Sequence, residues 1–338
     1  MKAVGLYRYL PITDPESLLD LEIANPTPGP RDLLVKVEAI AVNPVDTKVR
    51  APKDKIEANG RILGWDAAGT VVAVGESVDL FKVGDEVYYA GSITRPGANS
   101  EYHVVDERIA ALKPHSLNFA EAAALPLTAI TAWEALFERL AISDSGADTG
   151  KKILIIGGAG GVGSIAIQLA ARIAKLHVIA TASRPESAAW CRKLGANDII
   201  DHRLDMAEQL TALGYATVDA VLCLNDTDAH FPTMAKVIAP QGTICTIVEN
   251  NHPLDIALLK SKSAGFVWEF MFTRAMYQTP DMIAQHHLLT QVAQLIDNGT
   301  LQTTVGQMLS PINAANLKLA HAALEAGRSI GKIVIHGF

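Results

Sequence analysis

Hydrophobic and polar positions follow two different rhythms along the chain. Before about residue 120, short apolar or alternating segments, "DLLVKVEAIAV", "AAGTVVAVG", "GDEVYYA" and "SEYHVV", are separated by Gly, Pro and Asp. Period-two alternation between such breakers predicts strands with few helices. From about residue 120 the texture turns Ala- and Leu-rich, "FAEAAALPLTAITAWEALFERLA", and predicts helix. Regular alternation follows: strand "KILIIG", helix "GGVGSIAIQLAARIAK", strand "HVIATA", helix "PESAAWCRKLG", strand "DIID", helix "MAEQLTALG", strand "VDAVLCL", helix "HFPTMAKVIAP" and strand "GTICTIV". Strands taking turns with helices build a parallel sheet covered on both faces. A further strand is expected at "GFVWEFMF" (265–272), amphipathic helices near 281–298 and 312–326, and a closing strand at "GKIVIHG". The fold class is therefore α/β, a β-rich unit followed by a doubly wound one, with no internal repeat.

Composition narrows the picture. The 338 residues are 49% hydrophobic and 19% charged, enough to bury a large core and to exclude a disordered chain. Twenty-nine Lys and Arg stand against 36 Asp and Glu, a formal charge of -7 without a long run of one sign. Nucleic acid is a poor partner for such a surface. The first residues carry no apolar core with a small-residue cleavage site, which predicts a cytoplasmic protein. Residues 153–171 are almost uncharged, but their block of glycines reads as strand, turn and buried helix, so no membrane association is expected. Cys191, Cys223 and Cys245 are widely spaced and outside any C-x-x-C pair, which excludes a four-thiolate zinc site and argues against a disulfide framework.

The glycine block carries the first chemistry. Gly158, Gly160 and Gly163 fit G-x-G-x-x-G between a strand and a helix, with Ala159, Gly161 and Val162 completing the turn. A tight turn, close approach to a pyrophosphate and helix-sheet contact each require a missing side chain, and the helix start offers N–H groups to phosphate. About twenty residues on, an acid would hold the ribose 2'-OH of NAD, and an arginine would meet the 2'-phosphate of NADP. Ser183 and Arg184 stand there, and Ser183 with Glu186 matches the capping pattern S-x-x-E, which accounts for the glutamate. Arg184 then points to NADPH as cofactor. His202, ending the next strand, lies either against the adenosine or on the surface, and Asn225 ends the fourth strand of this unit.

These segments, with "NPVDTKVR", resemble the medium-chain dehydrogenase/reductase superfamily over essentially the whole chain. Within it the likeness is to the zinc-independent NADPH:quinone oxidoreductase branch and its bacterial members often labelled zinc-type alcohol dehydrogenase-like. The resemblance implies a GroES-like β-rich catalytic domain from residues 1–126 and 273–338, a Rossmann doubly wound parallel-sheet domain over 127–272, an active site in the cleft, and a homodimer through strand 265–272. In the zinc enzymes of the superfamily a Gly-His-Glu segment supplies a metal histidine. Here Gly64-Trp65-Asp66 stands in its place, Asn43 takes the position of a ligand cysteine, and Leu127 falls near the third ligand position. One carboxylate cannot make a site that needs three protein ligands, so no metal is expected.

Without zinc, hydride acceptors that spread their own charge are favoured, which means quinones and α,β-unsaturated carbonyls. The candidate catalytic residues are Asn43, whose amide can face a carbonyl oxygen; Thr128, by a hydroxyl; Trp65, as an apolar wall with an N–H or as core packing; and Asp46, orienting donors or capping a helix. Thr131 would meet the nicotinamide ribose and Lys332 the cofactor phosphates, while Arg95 either reaches substrate or faces solvent. Two alternatives stay open: a zinc-type alcohol dehydrogenase acting on alcohols and aldehydes, and an NADPH-binding protein without turnover.

Overall fold

The computed structural model describes all 338 residues, in two compact units: Met1–Ile130 with Phe272–Phe338, and Thr131–Met271.

The second unit is the Rossmann domain. Its six strands are all parallel and lie in the order Asp198–Ile200, His177–Thr181, Lys152–Ile156, Val218–Cys223, Ile238–Thr246, Gly265–Trp268. In chain order this is 3-2-1-4-5-6, the doubly wound arrangement whose ligands bind at the carboxyl ends of the strands. Its central strands read as continuous apolar runs because both faces are covered; Ile153 through Ile156 are fully buried. The three cysteines are buried here too, and burial pushes Cys191 and Cys245 up to about 12 and Cys223 up to about 11, so none is a reactive thiolate.

The first unit is GroES-like and β-rich. A seven-stranded sheet runs Val305–Leu309, Lys332–His336, Asp32–Val42, Ala67–Val74, Glu86–Tyr89, Ala110–Leu112, with Tyr102–Asp106 also pairing to Asp32–Val42. The closing segment of the chain thus lies beside an early strand, with Ile333 opposite Val42. A second sheet of three strands, Leu19–Glu22, Lys2–Tyr9 and Lys53–Ile62, stands apart.

Three expectations need correction. "GFVWEFMF" forms a strand only over Gly265–Trp268; Glu269 leaves it, and its side chain turns into the unit as a buried group. The Ala-rich helix is broken in three: Phe119–Ala123, then Pro126–Trp133 restarted at its proline, then a wider π-type turn through Glu134–Arg139. Residues 53–62, for which the sequence pattern predicts no element, are a ten-residue strand whose polar side chains hid it. No helix is long and apolar enough to cross a membrane.

Candidate functional site

Strand register brings the polar groups of the first unit together. The central strand Asp32–Val42 ends beside the beginnings of both neighbours, since Val42 faces Ile333 and Ile40 faces Ala67. Asn43, Lys332 and Asp66, the residues just beyond those pairs, therefore meet at one end of the sheet. Lys332 Nζ donates to Asp66 Oδ2 at 2.9 Å, to the Val42 carbonyl at 2.9 Å and to Asn43 Oδ1. All three ammonium protons are used, and the side chain is only 3% exposed.

Asp66 is saturated as well. Its Oδ2 also accepts the Asn43 amide at 3.0 Å, and its Oδ1 accepts the backbone N–H of Leu127 at 2.9 Å, one of the orphan donors at the start of helix Pro126–Trp133. Burial raises the Asp66 carboxyl, while the Lys332 charge and the Leu127 N–H pull it back. Asp46 sits in the first turn of helix Pro44–Arg50 and closes a capping box, its Oδ2 accepting the Asn43 N–H at 2.6 Å. Its Oδ1 is buried with no protein partner, and burial pushes this carboxyl up to about 7 against the pull of Asn43 N–H and Lys332. Two buried carboxyls thus lie near one buried cation, and burial raises both above the ordinary carboxylate range.

This geometry bears on five of the expected roles. Lys332 does not present its ammonium to phosphates, because the ammonium is spent on Asp66, Asn43 and Val42. The Asn43 amide is turned onto Asp66 and, at 3.4 Å, the Ala41 carbonyl, not toward a substrate oxygen. The Trp65 N–H donates to the Ser92 carbonyl at 3.0 Å, and the ring, 1% exposed, packs edge-to-face on Phe272 at 6.2 Å; the residue is core. Gly64 before it has φ +100, and a Cβ there would stand 2.2 Å from Asn99 Oδ1, so the turn that seats Trp65 and Asp66 needs glycine. The Thr128 hydroxyl donates to the carbonyl of Leu125, the residue just before its own helix, at 3.0 Å. Arg95 is likewise engaged, in a two-pronged pair with Asp32 at 2.8 and 2.9 Å.

In the Rossmann unit the glycines divide by role. Gly157 (φ +88) makes the turn after strand Lys152–Ile156. A Cβ on Gly158 would press on Ala180 Cβ at 2.9 Å, and one on Gly163 would stand 2.5 Å from the carbonyls of both Gly157 and Gly158. A Cβ on Gly160 would meet only the Gly157 carbonyl at 3.5 Å, an ordinary contact. Nothing inside the protein demands glycine at 160, where the fingerprint pattern of a dinucleotide turn would leave room for a pyrophosphate. Gly160 caps helix Gly161–Gln168, and Ala159, Gly161 and Val162 are half-buried around it.

Helix Pro185–Leu194 starts where expected, but its N-cap is Arg184, not Ser183, and Ser187, not Glu186, closes the first turn, its hydroxyl donating to the Arg184 carbonyl at 2.8 Å. Glu186 pairs with Arg184 Nε at 3.2 Å. Ser183 and Arg184 are half-buried and Asn225 is exposed, each following the carboxyl end of its strand. His202 lies half-buried, edge-to-face with His230 at 6.2 Å, its Nδ1 without a protein partner. Thr131 is buried at the start of the unit. Arg203, which sequence reasoning passed over, joins this group: its Nη2 donates to the Ser183 carbonyl at 2.6 Å.

Two family models match the chain: an alcohol dehydrogenase GroES-like domain over residues 29–115, and a zinc-binding dehydrogenase model over 194–335, from within the second unit into the closing segment of the first. A zinc-type alcohol dehydrogenase-like protein of Staphylococcus aureus is 44% identical over 337 residues, 99% of this chain and all of the relative. The chain belongs to the medium-chain dehydrogenase/reductase superfamily. Another member, the 2-methylene-furan-3-one reductase of Solanum lycopersicum, is 32% identical over 94% of this chain and 75% of its own. A solved structure from Rhizobium etli, described provisionally as a zinc-dependent alcohol dehydrogenase, superposes with TM-score 0.95 at 52% identity over 100% of this chain and 98% of that one. As a member of this superfamily the protein is an oxidoreductase with a nicotinamide cofactor, and the Gly157–Gly163 turn fits the pyrophosphate. The zinc in several of these names does not fit the donor set. Asp66 has both oxygens taken by hydrogen-bond donors, Lys332 already places a cation on it, and no three His, Cys, Asp or Glu gather anywhere in the chain.

Proposed function

We propose that this superfamily member is an NADPH-dependent reductase of quinones or α,β-unsaturated carbonyl compounds, working without a catalytic metal. The observation that carries the reading is the closed Lys332–Asp66–Asn43 network, which stands where the family resemblance locates metal ligands. Hydride transfer to a simple carbonyl builds charge on one oxygen, and a Lewis acid relieves that charge by several kcal/mol. A conjugated acceptor relieves it by delocalisation, so it suits a site without the ion. Bound NADPH supplies the hydride. Gly158, Gly160 and Gly163 would admit its pyrophosphate, and Ser183 and Arg184 would meet its 2'-phosphate. The enone reductase among the relatives supports the acceptor class. A homodimer through strand Gly265–Trp268 belongs to this reading, because that strand ends its sheet with an open edge and Trp268 is 44% exposed. So does a reducing, cytoplasmic setting, which three unpaired buried cysteines suit.

A second reading gains from the geometry. The Asn43 amide, the Trp65 N–H and the Thr128 hydroxyl are all engaged internally, which weakens the polar set that spoke for catalysis and favours an NADPH-binding protein without turnover.

One screen separates the readings: NADPH oxidation with small quinones, enones and simple aldehydes, with NADH and a chelator as controls. Oxidation with conjugated acceptors, unchanged by chelator, supports the reductase. Tight NADPH binding with no oxidation by any acceptor supports the second reading. Activity confined to aldehydes and lost with chelator, or about one zinc per subunit in protein purified without added metal, overturns the metal-free reading.

A further inference from the structure

At one edge of the Rossmann sheet, strands His177–Thr181 and Asp198–Ile200 finish side by side, the Ala182 N–H donating to the Ile200 carbonyl at 2.9 Å. Ser183 and Arg184 follow the first strand; Asp201, His202 and Arg203 follow the second. Arg203 ties the two ends together. Its Nε donates to Asp201 Oδ1 at 3.1 Å and Oδ2 at 3.2 Å, and its Nη2 donates to Asp201 Oδ2 and to the Ser183 carbonyl, each at 2.6 Å. The Arg203 backbone N–H also donates to Asp201 Oδ1, at 2.9 Å. One guanidinium therefore covers a carboxylate and reaches the backbone residue that precedes Arg184, while its side chain stays 61% exposed.

Exposed ion pairs contribute little to stability, so packing does not explain why this latch is made. Its location offers a reason. Carboxyl ends of strands in a doubly wound sheet meet the dinucleotide, and the charge near the adenosine ribose decides between cofactors: an acid binds the NAD 2'-OH, a cation the NADP 2'-phosphate. Asp201 is an acid at this edge, and left bare it would accept the hydroxyl and repel the phosphate. Latched by Arg203, its oxygens are occupied and the local charge is cancelled, while Arg184, paired through its Nε with Glu186 at 3.2 Å, stands at the adjoining strand end.

We propose that the Asp201–Arg203 pair sets the cofactor preference of this protein, Arg203 masking an acid that would otherwise select NADH and offering the edge of its guanidinium turned away from Asp201, beside Arg184, to a 2'-phosphate. The inference rests on the NADPH reading and extends it to residues that reading does not use.

The test is binding, independent of turnover. Dissociation constants for NADPH, NADH, 2',5'-ADP and 5'-AMP are measured by titration calorimetry for the wild type, Arg203→Ala, Arg203→Lys and the double variant Asp201→Asn/Arg203→Ala. Loss of a charge-assisted contact should weaken NADPH and 2',5'-ADP at least about tenfold in Arg203→Ala. In the same variant NADH should bind more tightly than in the wild type, because Asp201 is unmasked. Arg203→Lys should recover part of the loss, and the double variant should lose the NADPH preference without the gain for NADH. An NADPH-to-NADH affinity ratio unchanged within about twofold in Arg203→Ala overturns the proposal while the NADPH reading stands. A wild type that binds NADPH and NADH equally overturns both, and it does so before any variant is made.

Discussion

Lys332 and Asp66 form an ion pair at 2.9 Å with side chains 3% and 0% exposed, between residues 266 positions apart. Taking two charges out of water is costly, and the cost is recovered only when hydrogen bonds satisfy what remains of each group. Here they do: Lys332 finds three acceptors, and Asp66 accepts from Lys332, Asn43 and Leu127. Lys332→Met leaves Asp66 buried beside Asp46 with no cation, and should cost about 3–5 kcal/mol of stability. In the double variant Lys332→Met/Asp66→Asn the stranded charge is gone, so the loss should be clearly smaller than the sum of the two single losses. Urea denaturation of the four proteins checks this; additive losses would mean that the pair is not energetically coupled.

Asp46 gives this cluster a pH dependence. Burial lifts its carboxyl from the ordinary 3.8 to about 7 in the folded protein. The native state then binds the proton more tightly than the unfolded chain does, so this group's contribution is complete below about pH 4 and is lost as pH rises to 7. The groups facing it are Asn43, Gly64, Asp66 and Lys332, all on elements of the same sheet end. Asp46→Asn keeps the shape, with no proton to lose. Comparing the two proteins by urea denaturation at pH 5 and pH 8, the wild type should lose more stability over that interval. Equal changes would show that Asp46 titrates normally.

Legibility followed sequence distance. The Rossmann strands, helices and glycine turn declare themselves within windows of ten to twenty residues, because periodicity and G-x-G-x-x-G are local patterns. Trp65 at the position of a metal histidine was equally visible, and it pointed to a changed site. What surrounds Asp66 was not visible, since the meeting of Lys332 with Asn43 and Asp66 depends on antiparallel register between the last strand and an early one. Nor could the sequence tell that the Asn43 amide and the Trp65 N–H are spent internally; donor types can be read from one-letter code, their partners cannot. Strand Lys53–Ile62 was lost for a different reason. It lies in the small separate sheet, most of its side chains face solvent, and it carries no apolar alternation.

The Rossmann unit has a buried acid of its own. Glu269, 2% exposed, is pushed up to about 9, first by burial and then by the charge and hydrogen bond of Glu134, while Arg139 at 2.9 Å opposes the rise. The remaining ionisable neighbours are Glu138 and the Cys245 thiol. With a folded pKa above the ordinary 4.5, its stabilising contribution is present at low pH and fades as pH climbs toward 9. Glu269→Gln is neutral throughout, so thermal unfolding between pH 7 and pH 10 should fall less steeply in the variant. An identical fall in the two proteins would mean that Glu269 is ionised at neutral pH, with Arg139 as its dominant partner.

Gly160 and Gly163 should respond in opposite ways to one added methyl group. At 163 the new Cβ would stand 2.5 Å from two backbone carbonyls that belong to the turn itself and cannot swing aside. Gly163→Ala should therefore cost about 1–3 kcal/mol by overpacking, whatever it does to the cofactor. At 160 the Cβ meets a single carbonyl at 3.5 Å, and the backbone, at φ -71, suits any residue. Gly160→Ala should leave stability within about 0.5 kcal/mol of the wild type. Its methyl group instead occupies space that the pyrophosphate needs, so NADPH affinity should fall about tenfold or more. Urea denaturation and cofactor titration on both variants give the four numbers. Unchanged NADPH affinity in a stable Gly160→Ala protein would move the pyrophosphate away from this turn, and with it every contact assigned to the cofactor from Gly158 to Arg184.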